Sequence, residues 1–304
     1  MSGGILSTFV WTALVAQSIP TEGGLKVAFM GDSGAGVSGR KVFNLVKSEG
    51  AHLVIHEGDF DYENDPDAFE SAINDTLGEE FPFFAVVGNH DLLKWKTYQK
   101  NFQARLKKNP EAKCYGDLGV KSYCTYRGLF FLLSGVGTKG WLGHHRYIEK
   151  TLESSNHRWR ICAWHKNQRL MQVGGKGDGT GWTPYELCRK NGAIIVTGHE
   201  HSYARSHLLK KMEQPEIVHT NSLLEIGLGQ TFAAVVGTGG RAIRPAKDKL
   251  DQNPWWASVY TKDQNAKHGA LFCTFADSSP DHASCYFKNV ENEMIDEFQL
   301  LSTH

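Results

Sequence analysis

The chain has 304 residues, of which 40% are hydrophobic and 22% are charged. This composition supports a large buried core and excludes a disordered chain. Lysine plus arginine (33) equals aspartate plus glutamate (33), so the formal net charge is zero. That balance argues against a nucleic-acid-binding protein that depends on a basic surface. The longest apolar run, residues 5–16, is shorter than the ~20 residues of a membrane-spanning helix, so we expect no integral membrane span.

The N-terminus has the apolar core of a signal peptide but lacks the basic residues that usually precede it. Residues 5–16 have the length of a signal-peptide core, and Ala16-Gln17-Ser18 is a suitable cleavage site. No lysine or arginine precedes that core, so the alternative is an N-terminal segment that packs on the domain. We expect a signal peptide over residues 1–18 and a secreted or extracytoplasmic protein.

Six cysteines favour the same localisation, because their number is even and no Cys-x-x-Cys pair suggests zinc or redox chemistry. Two pairs, Cys114 with Cys124 and Cys273 with Cys285, are close enough in sequence to close short loops. Six cysteines allow ~15 pairings, so the sequence leaves the connectivity open. Cys162 lies in an apolar run and could equally be a buried free thiol.

Short apolar runs alternate with segments of helical spacing along the first two thirds of the chain, which predicts an α/β fold with βαβ units. After His201 the pattern changes to strands with long loops, which predicts a second sheet. We find no repeat or linker and expect one domain over residues 25–304. The predicted strands are residues 25–30, 53–55, 83–87, 129–133, 160–164, 194–197, 208–209, 231–236, 270–275 and 284–288, and the predicted helices are 41–48, 67–77, 92–107, 147–152 and 184–190.

Two glycine-rich segments resemble phosphate-binding loops without completing the motif. The first, residues 34–41, has Arg40 where a Walker A loop needs lysine and Lys41 where it needs a hydroxyl. The second, residues 174–181, also lacks the required ending. We interpret it as a mobile surface loop, although long glycine loops often border active sites. A nucleotide-binding fold is therefore not favoured.

Metal-binding residue types follow the predicted strands at five points. Because strand ends of α/β sheets converge on one rim, these side chains are expected to meet. Four of the turns have glycine directly before the polar residue, which allows a sharp backbone turn. A carboxylate can bridge two ions, imidazoles favour a borderline divalent ion, and a phenolate favours a harder one. The residues are Asp32, Asp59 with Tyr62, the run Asn89-His90-Asp91, His165, and the run His199-Glu200-His201.

These five motifs resemble those of the calcineurin-like metallophosphoesterases, and the position of Tyr62 makes the sequence most similar to the purple acid phosphatases. The likeness covers residues 25–240. It implies a four-layer α/β/β/α sandwich of two mixed β-sheets flanked by helices. We expect these residues to lack the additional N-terminal β-domain of the plant-type enzymes. The residues around His165 also differ from the usual family motif. The motifs read Gly31-Asp32-Ser33-Gly34, Gly58-Asp59-Phe60-Asp61-Tyr62, Gly88-Asn89-His90-Asp91, His165 and Gly198-His199-Glu200-His201.

The resemblance also implies residue roles. Asp32, Tyr62 and His201 would hold one metal, and Asn89, His165 and His199 the other. Asp59 would bridge the two ions, and His90 would stand outside the coordination shell near the leaving group. Among their neighbours, Asp61 and Asp91 are expected to hydrogen-bond around the ligands, and His56 is expected to be structural.

We therefore expect an acid phosphatase that cleaves small-molecule phosphomonoesters by attack of a metal-bound hydroxide at a dinuclear site. The cofactors would be Fe(III) and a divalent zinc, iron or manganese ion, since a phenolate needs a strong Lewis acid. The alternative for Tyr62 is a packed aromatic beside an all-divalent site. For function, the alternatives are a phosphodiesterase or nucleotidase on the same core, or a non-catalytic phosphate-binding surface protein. The oligomeric state stays open.

Overall fold

The structure, a computed structural model, describes residues 23–304. The predicted signal peptide, residues 1–18, lies outside the described residues. Within the described part of the chain, no helix is both long and apolar enough to cross a membrane.

The described residues form five α-helices, two short 3-10 helices and 17 strands. The helices are α1 Val37–Ser48, α2 Pro66–Leu77, α3 Trp95–Lys107, α4 His144–Glu153 and α5 Thr183–Lys190, with 3-10 turns at Leu250–Gln252 and Lys262–Gln264. The strands are β1 Leu25–Met30, β2 Leu53–His56, β3 Phe83–Ala85, β4 Lys113–Asp117, β5 Lys121–Tyr126, β6 Leu129–Ser134, β7 Arg160–Trp164, β8 Ile194–Thr197, β9 Tyr203–Ser206, β10 Leu208–Lys211, β11 Glu216–His219, β12 Leu223–Ile226, β13 Ala233–Val236, β14 Trp256–Tyr260, β15 Gly269–Phe275, β16 His282–Asn289 and β17 Met294–Ser302.

Two mixed sheets carry the fold. The first has seven strands in the order β12-β17-β16-β15-β1-β2-β3, and the second has eight in the order β14-β9-β13-β8-β7-β6-β5-β4. Neighbours β1, β2 and β3 are parallel, as are β6, β7, β8 and β13. The first sheet continues antiparallel through β15, β16 and β17. A small ribbon, β10-β11, stands apart from both sheets.

The four predicted layers follow from burial on both faces of the central strands. In β7, Ile161 and Ala163 join the core between the sheets, whereas Cys162 and Trp164 join the cluster on the opposite face. Helices α1, α2 and α3 cover the first sheet, and α4 and α5 cover the second. Such strands read as continuous apolar runs because both of their faces are buried. The predicted α/β/β/α sandwich is confirmed.

The origin of the second sheet differs from the prediction. We expected it to come from the segment after His201, but it already begins with the hairpin β4-β5, which the sequence analysis missed. Strands of the later segment are divided between both sheets: β15, β16 and β17 extend the first, and β9, β13 and β14 complete the second. The hairpin was missed because β4 is largely exposed at the sheet edge and lacks an apolar run.

All six cysteines are paired. Cys114–Cys124 joins β4 to β5, Cys273–Cys285 joins β15 to β16, and Cys162–Cys188 joins β7 to α5. The alternative that Cys162 is a free thiol is therefore wrong. Three disulfides are compatible with an extracellular protein, since disulfides persist in oxidising compartments.

Candidate metal centre

The five predicted motifs converge where the two sheets present the carboxyl ends of their parallel strands. Asp32 follows β1, Asp59 and Tyr62 follow β2, and Asn89 follows β3. From the second sheet, His165 follows β7, and His199 and His201 follow β8. The site is therefore built across both sheets, at the rim that α/β folds use for ligands.

Asp32, Tyr62 and His201 form one group of contacts. The Tyr62 hydroxyl lies 3.0 Å from Oδ1 of Asp32 and 3.2 Å from Nε2 of His201. Nε2 of His201 lies 3.3 Å from the same Asp32 oxygen. The second Asp32 oxygen accepts the backbone N–H of His199 at 2.7 Å, which fixes the carboxylate between the two sheets.

Asp59, Asn89, His165 and His199 form the second group. Nε2 of His165 is its centre, at 3.2 Å from Oδ1 of Asn89, 3.3 Å from Oδ2 of Asp59 and 3.1 Å from Nδ1 of His199. Ligand atoms of Asp59, His165 and His199 all lie within 4.8 Å of one another, as a shared ion requires.

Backbone carbonyls fix the tautomers of two histidines. Nδ1 of His165 donates to the carbonyl of Glu57 at 2.7 Å, and Nδ1 of His201 donates to the carbonyl of Ala242 at 3.0 Å. A carbonyl can only accept, so each Nε2 of the neutral rings presents a lone pair to the centre. Partners of this kind orient histidine ligands at metal sites.

The donor set fits metal ions. Two ligands bound to one ion at ~2.1 Å lie about 3.0–3.4 Å apart in octahedral or tetrahedral geometry. The contacts in both groups range from 3.0 to 3.3 Å. When His165 is neutral, its Nε2 and Oδ1 of Asn89, 3.2 Å apart, are both acceptors. A cation between such atoms satisfies both.

Burial and nearby charges act differently on the ligands of the centre. Burial opposes protonation of His165, but Asp59 and Asp32 raise its pKa to about 9, so a metal ion at its Nε2 would displace a proton. Burial opposes ionisation of Asp32, but its hydrogen bond with His201 and three nearby imidazoles lower its pKa. Burial, followed by the charge of His165, lowers the pKa of His199 to about 3, so this ring is neutral. Burial and the charges of Asp32 and Asp59 raise the pKa of Tyr62. Its phenolate therefore forms only opposite a strong positive charge.

Four of the candidate ligands have left-handed backbone conformations, which non-glycine residues rarely adopt. Their φ angles are 57° at Asp32, 58° at Asp59, 64° at Tyr62 and 68° at His199. This conformation turns the chain sharply after each strand and aims a short side chain at the centre. Strain of this kind is concentrated at functional sites, where the surrounding packing maintains it.

Neighbouring polar residues hold these turns. The carboxylate of Asp91 accepts the backbone N–H groups of Gly88, Asp59 and Phe60, and that of Asp61 accepts three backbone N–H groups from residues 63–65. Gly88 allows this close approach, because a Cβ there would lie 2.1 Å from the backbone nitrogen of Asp59.

Buried His56 connects two of the turns. Its Nδ1 accepts the N–H of Gly58 at 3.1 Å, so its Nε2 donates to the Ser33 hydroxyl at 2.9 Å. That hydroxyl in turn donates to the carbonyl of Phe60.

His90 lies at the edge of the centre. Its backbone N–H donates to Oδ1 of Asp59 at 2.8 Å, while its exposed ring lies beside Tyr62, with 4.7 Å between the ring centroids. Among residues 23–304, the ring forms no hydrogen bond or ion pair with the carboxylates, amide or imidazoles of the site. It is therefore placed at the mouth and not among the candidate ligands.

Several side chains near the centre were not predicted. Arg241 lies over the Tyr62 ring at 4.4 Å, and Arg244 lies 3.6 Å from buried Glu200. The glycine-rich segment 174–181, which we interpreted as a mobile surface loop, packs Gly174 against Glu200 and borders the site. The high glycine content of this segment was the one feature of the sequence that pointed to the site. The positions of the two arginines could not be predicted, because they depend on how a distant loop folds back over the centre.

Comparisons with known proteins identify the family. Residues 25–203 match the family model described as calcineurin-like phosphoesterase. Among curated proteins, no match is found.

Several solved structures share the fold. A purple acid phosphatase from yellow lupin (Lupinus luteus) seeds has a TM-score of 0.67 and 16% identity, over 91% of this chain and 53% of that chain. GAP50, described as the anchor in the inner membrane complex of Plasmodium, has a TM-score of 0.61 and 15% identity, over 93% and 90% of the two chains. A dimetal phosphatase from Danio rerio has a TM-score of 0.50 and 9% identity, over 93% and 100%. The present chain spans about half the length of the lupin enzyme.

Proposed function

This chain belongs to the calcineurin-like phosphoesterases, and from that premise we propose that it is an acid phosphatase that hydrolyses phosphomonoesters at a dinuclear metal centre. The observation that carries the proposal is the convergence of Asp59, His165 and His199 within 4.8 Å, beside the group Asp32, Tyr62 and His201. When bound, two ions would polarise the phosphoryl oxygens and lower the pKa of a water to near 7.

Each ligand has a place in this scheme. Asp32, Tyr62 and His201 would hold one ion, and Asn89, His165 and His199 the other. Asp59 would bridge the two ions. The hydrogen bond from the N–H of His90 to Oδ1 of Asp59 fixes one oxygen of this carboxylate, and the other oxygen lies 3.3 Å from Nε2 of His165.

His90 would serve the leaving group. Its ring is exposed beside Tyr62, at the mouth of the site, where the ester oxygen of a bound substrate would leave toward solvent. Its protonated form would donate a proton to the departing alkoxide. General acid catalysis by a positioned side chain contributes ~100- to 10,000-fold.

Tyr62 decides the identity of the metal. Burial and the charges of Asp32 and Asp59 raise its pKa, so only a strong Lewis acid would bind it as phenolate at acid pH. Fe(III) meets this requirement, with a divalent zinc, iron or manganese ion in the other position. Export to an oxidising compartment, which the three disulfides support, is part of the same proposal.

A second candidate is a non-catalytic surface protein. It is favoured by the structural likeness to Plasmodium GAP50, which is described as an anchor. The complete donor set favours the enzyme, because a purely structural role does not require these acceptor-to-acceptor contacts.

The test combines metal content with turnover. Purified protein is analysed for iron, zinc and manganese, and hydrolysis of p-nitrophenyl phosphate and of bis-p-nitrophenyl phosphate is measured from pH 4 to 9. We expect two ions per chain and faster hydrolysis of the monoester at acid pH. Faster diester hydrolysis would favour the phosphodiesterase, and fully loaded protein without turnover would favour the anchor.

A further inference from the structure

Two large apolar side chains are almost fully exposed on the loop after β6. Trp141 is 98% exposed and Leu142 is 84% exposed. Single exposed apolar residues are common on protein surfaces, but two adjacent ones of this size present a continuous apolar area to water, and such areas mark interaction sites. We call these two residues the apolar tip.

The loop that carries the apolar tip has a fixed base. Buried His144 closes it, because its Nε2 donates to the carbonyl of Lys139 at 2.8 Å and its Nδ1 accepts from the hydroxyl of Ser134 at 3.0 Å. The backbone N–H of Lys139 also donates to the carbonyl of Gly135 at 2.7 Å. The apolar tip is therefore exposed on an ordered turn and not on a frayed segment.

A groove beside the apolar tip is lined by three cations. Lys121 on β5 and Arg146 and Lys150 on α4 line it together with Gly143, which directly follows the tip in sequence. Its volume is about 470 Å³, and no carboxylate lines it. Among residues 23–304, none of the three cations forms an ion pair. Like charges in one groove repel one another, so this basic groove favours an anion.

The sequence around the apolar tip concentrates positive charge, although the net charge of the whole chain is zero. Residues 118–148 contain two lysines, two arginines and no aspartate or glutamate. Residues 92–110, from the loop after β3 into α3 and beyond, contain five lysines, one arginine and no acid. Such an asymmetry attracts a negatively charged partner to one face of the molecule.

The loop after β3 adds a further apolar side chain near the tip. Leu93 in this loop is exposed. Both loops pack on the turn between β4 and β5, residues 118–120. A Cβ on Gly119 of that turn would lie 2.7 Å from the ring of Trp95, and a Cβ on Gly140 would lie 3.1 Å from Val120. Leu93 and the apolar tip therefore border the same turn.

A lipid bilayer with anionic headgroups matches this combination of groups. Tryptophan and leucine insert at the boundary between headgroups and acyl chains, and adjacent lysine and arginine are attracted to anionic headgroups. A protein partner matches less well, because protein interfaces are depleted in lysine. We propose that the apolar tip and the basic groove dock this protein on the surface of an anionic lipid bilayer.

Docking of this kind requires no membrane-spanning helix. It would also bring the candidate metal centre close to the membrane. Strand β6 lies parallel to β7, so the loop with the apolar tip follows the same end of the sheet as His165. A bilayer that receives Trp141 would therefore lie beside that rim.

Binding to vesicles tests this surface without any measurement of turnover, so the result is independent of the proposed phosphatase activity. The purified protein is sedimented with vesicles of phosphatidylcholine alone and with vesicles that also contain phosphatidylserine. We expect binding to the phosphatidylserine vesicles to weaken as salt is raised. Binding to phosphatidylcholine alone should be ~10-fold weaker or less, since basic residues contribute only near anionic lipid.

Variants locate the surface. Trp141→Ser and Leu142→Ser should each weaken binding ~10- to 100-fold, the effect of one buried apolar side chain. Lys150→Gln should weaken it ~5-fold, the effect of one basic residue near an anionic membrane. The matched controls are Leu228→Ser, 74% exposed between β12 and β13, and Lys47→Gln, exposed on α1, which should leave binding unchanged. Circular dichroism verifies that each variant is folded.

Trp141→Phe separates insertion from adsorption, because it keeps an apolar ring and removes the indole. Brominated acyl chains should quench part of the tryptophan emission of the bound protein, and this part should be absent in bound Trp141→Phe.

Three results would overturn the proposal. The first is no binding to phosphatidylserine vesicles. The second is binding that Trp141→Ser and Lys150→Gln leave unchanged. The third is a dimer in gel filtration that Trp141→Ser converts to a monomer, which would assign the apolar tip to a second copy of the chain.

Discussion

The carboxylate of Asp91, in the turn after β3, accepts the backbone N–H of Asp59, in the turn after β2, at 2.9 Å. This hydrogen bond holds the two turns together. The same side chain accepts the N–H groups of Gly88 at 2.7 Å and Phe60 at 2.9 Å. Both of its oxygens therefore act as acceptors. Asp91 therefore positions Asp59, the residue that we propose bridges the two ions.

Asp91→Asn should weaken metal binding. An amide of the same shape places an NH₂ group against at least one backbone donor, which costs ~1–3 kcal/mol at a buried position. We expect metal affinity to fall ~10- to 100-fold, the usual effect of losing such a partner. Metal titration by calorimetry measures it, with Asp75→Asn on the exposed surface of α2 as the control. An unchanged metal affinity would mean that the turn after β2 keeps its conformation without the hydrogen bonds of Asp91.

Tyr62→Phe should remove a visible absorption band. The phenolate-to-iron charge transfer requires the hydroxyl, whereas phenylalanine keeps the contacts of the ring with His90 and Arg241. The measurement is the visible spectrum of iron-loaded protein before and after substitution. If the unmutated iron-loaded protein shows no band, Tyr62 is a packed aromatic beside an all-divalent site.

His56 should make stability fall in acid. Burial lowers its pKa from 6.5 to about 3, so the folded state holds the ring neutral while the unfolded chain binds a proton below pH 6.5. The stabilisation is complete above pH 6.5 and is lost as the pH falls toward 3, at up to about 1.4 kcal/mol per pH unit.

His56→Phe tests this dependence. The variant loses the hydrogen bonds with Gly58 and Ser33, but the residue at this position no longer titrates. Urea unfolding at pH 4, 5, 6 and 7 should therefore give a flatter slope of unfolding free energy against pH. Equal slopes in both proteins would assign the acid sensitivity to other groups.

Asp296→Asn should strongly destabilise the contact between the two sheets. Asp296 on β17 accepts Nε and Nη2 of Arg205 on β9 at 2.6 and 2.9 Å, and the hydroxyl of Tyr203 at 2.6 Å. Both charged side chains are under 10% exposed. Removal of one charge leaves the other buried and unpaired, so we expect a loss of ~3–5 kcal/mol in the free energy of unfolding.

A double variant separates pairing from packing. Arg205→Met with Asp296→Leu removes both charges, and should cost less than Asp296→Asn because no buried charge remains. Chemical denaturation of the three proteins at pH 7 measures the difference. A loss below ~1 kcal/mol for Asp296→Asn would mean that water reaches Arg205.

The bounds of strands 25–30, 160–164 and 194–197 agree with the prediction because these strands are buried on both faces and read as apolar runs. Edge strands such as β4 and half-exposed ones such as β17 escaped detection, since their side chains alternate or face solvent. The candidate ligands could be identified because each lies in the turn that follows a buried strand. Arg241 and Arg244 could not, because their approach to the centre depends on the segment after β13 folding across the site.

Left-handed backbone conformations lower the stability of the fold at four candidate ligands, Asp32, Asp59, Tyr62 and His199. Each costs on the order of 1 kcal/mol relative to glycine at the same φ. Glycine at these positions would therefore give a more stable protein, but one without ligand atoms for a metal. Selection for stability alone would favour glycine at these positions during evolution. The presence of all four side chains therefore reflects selection for function and not for stability.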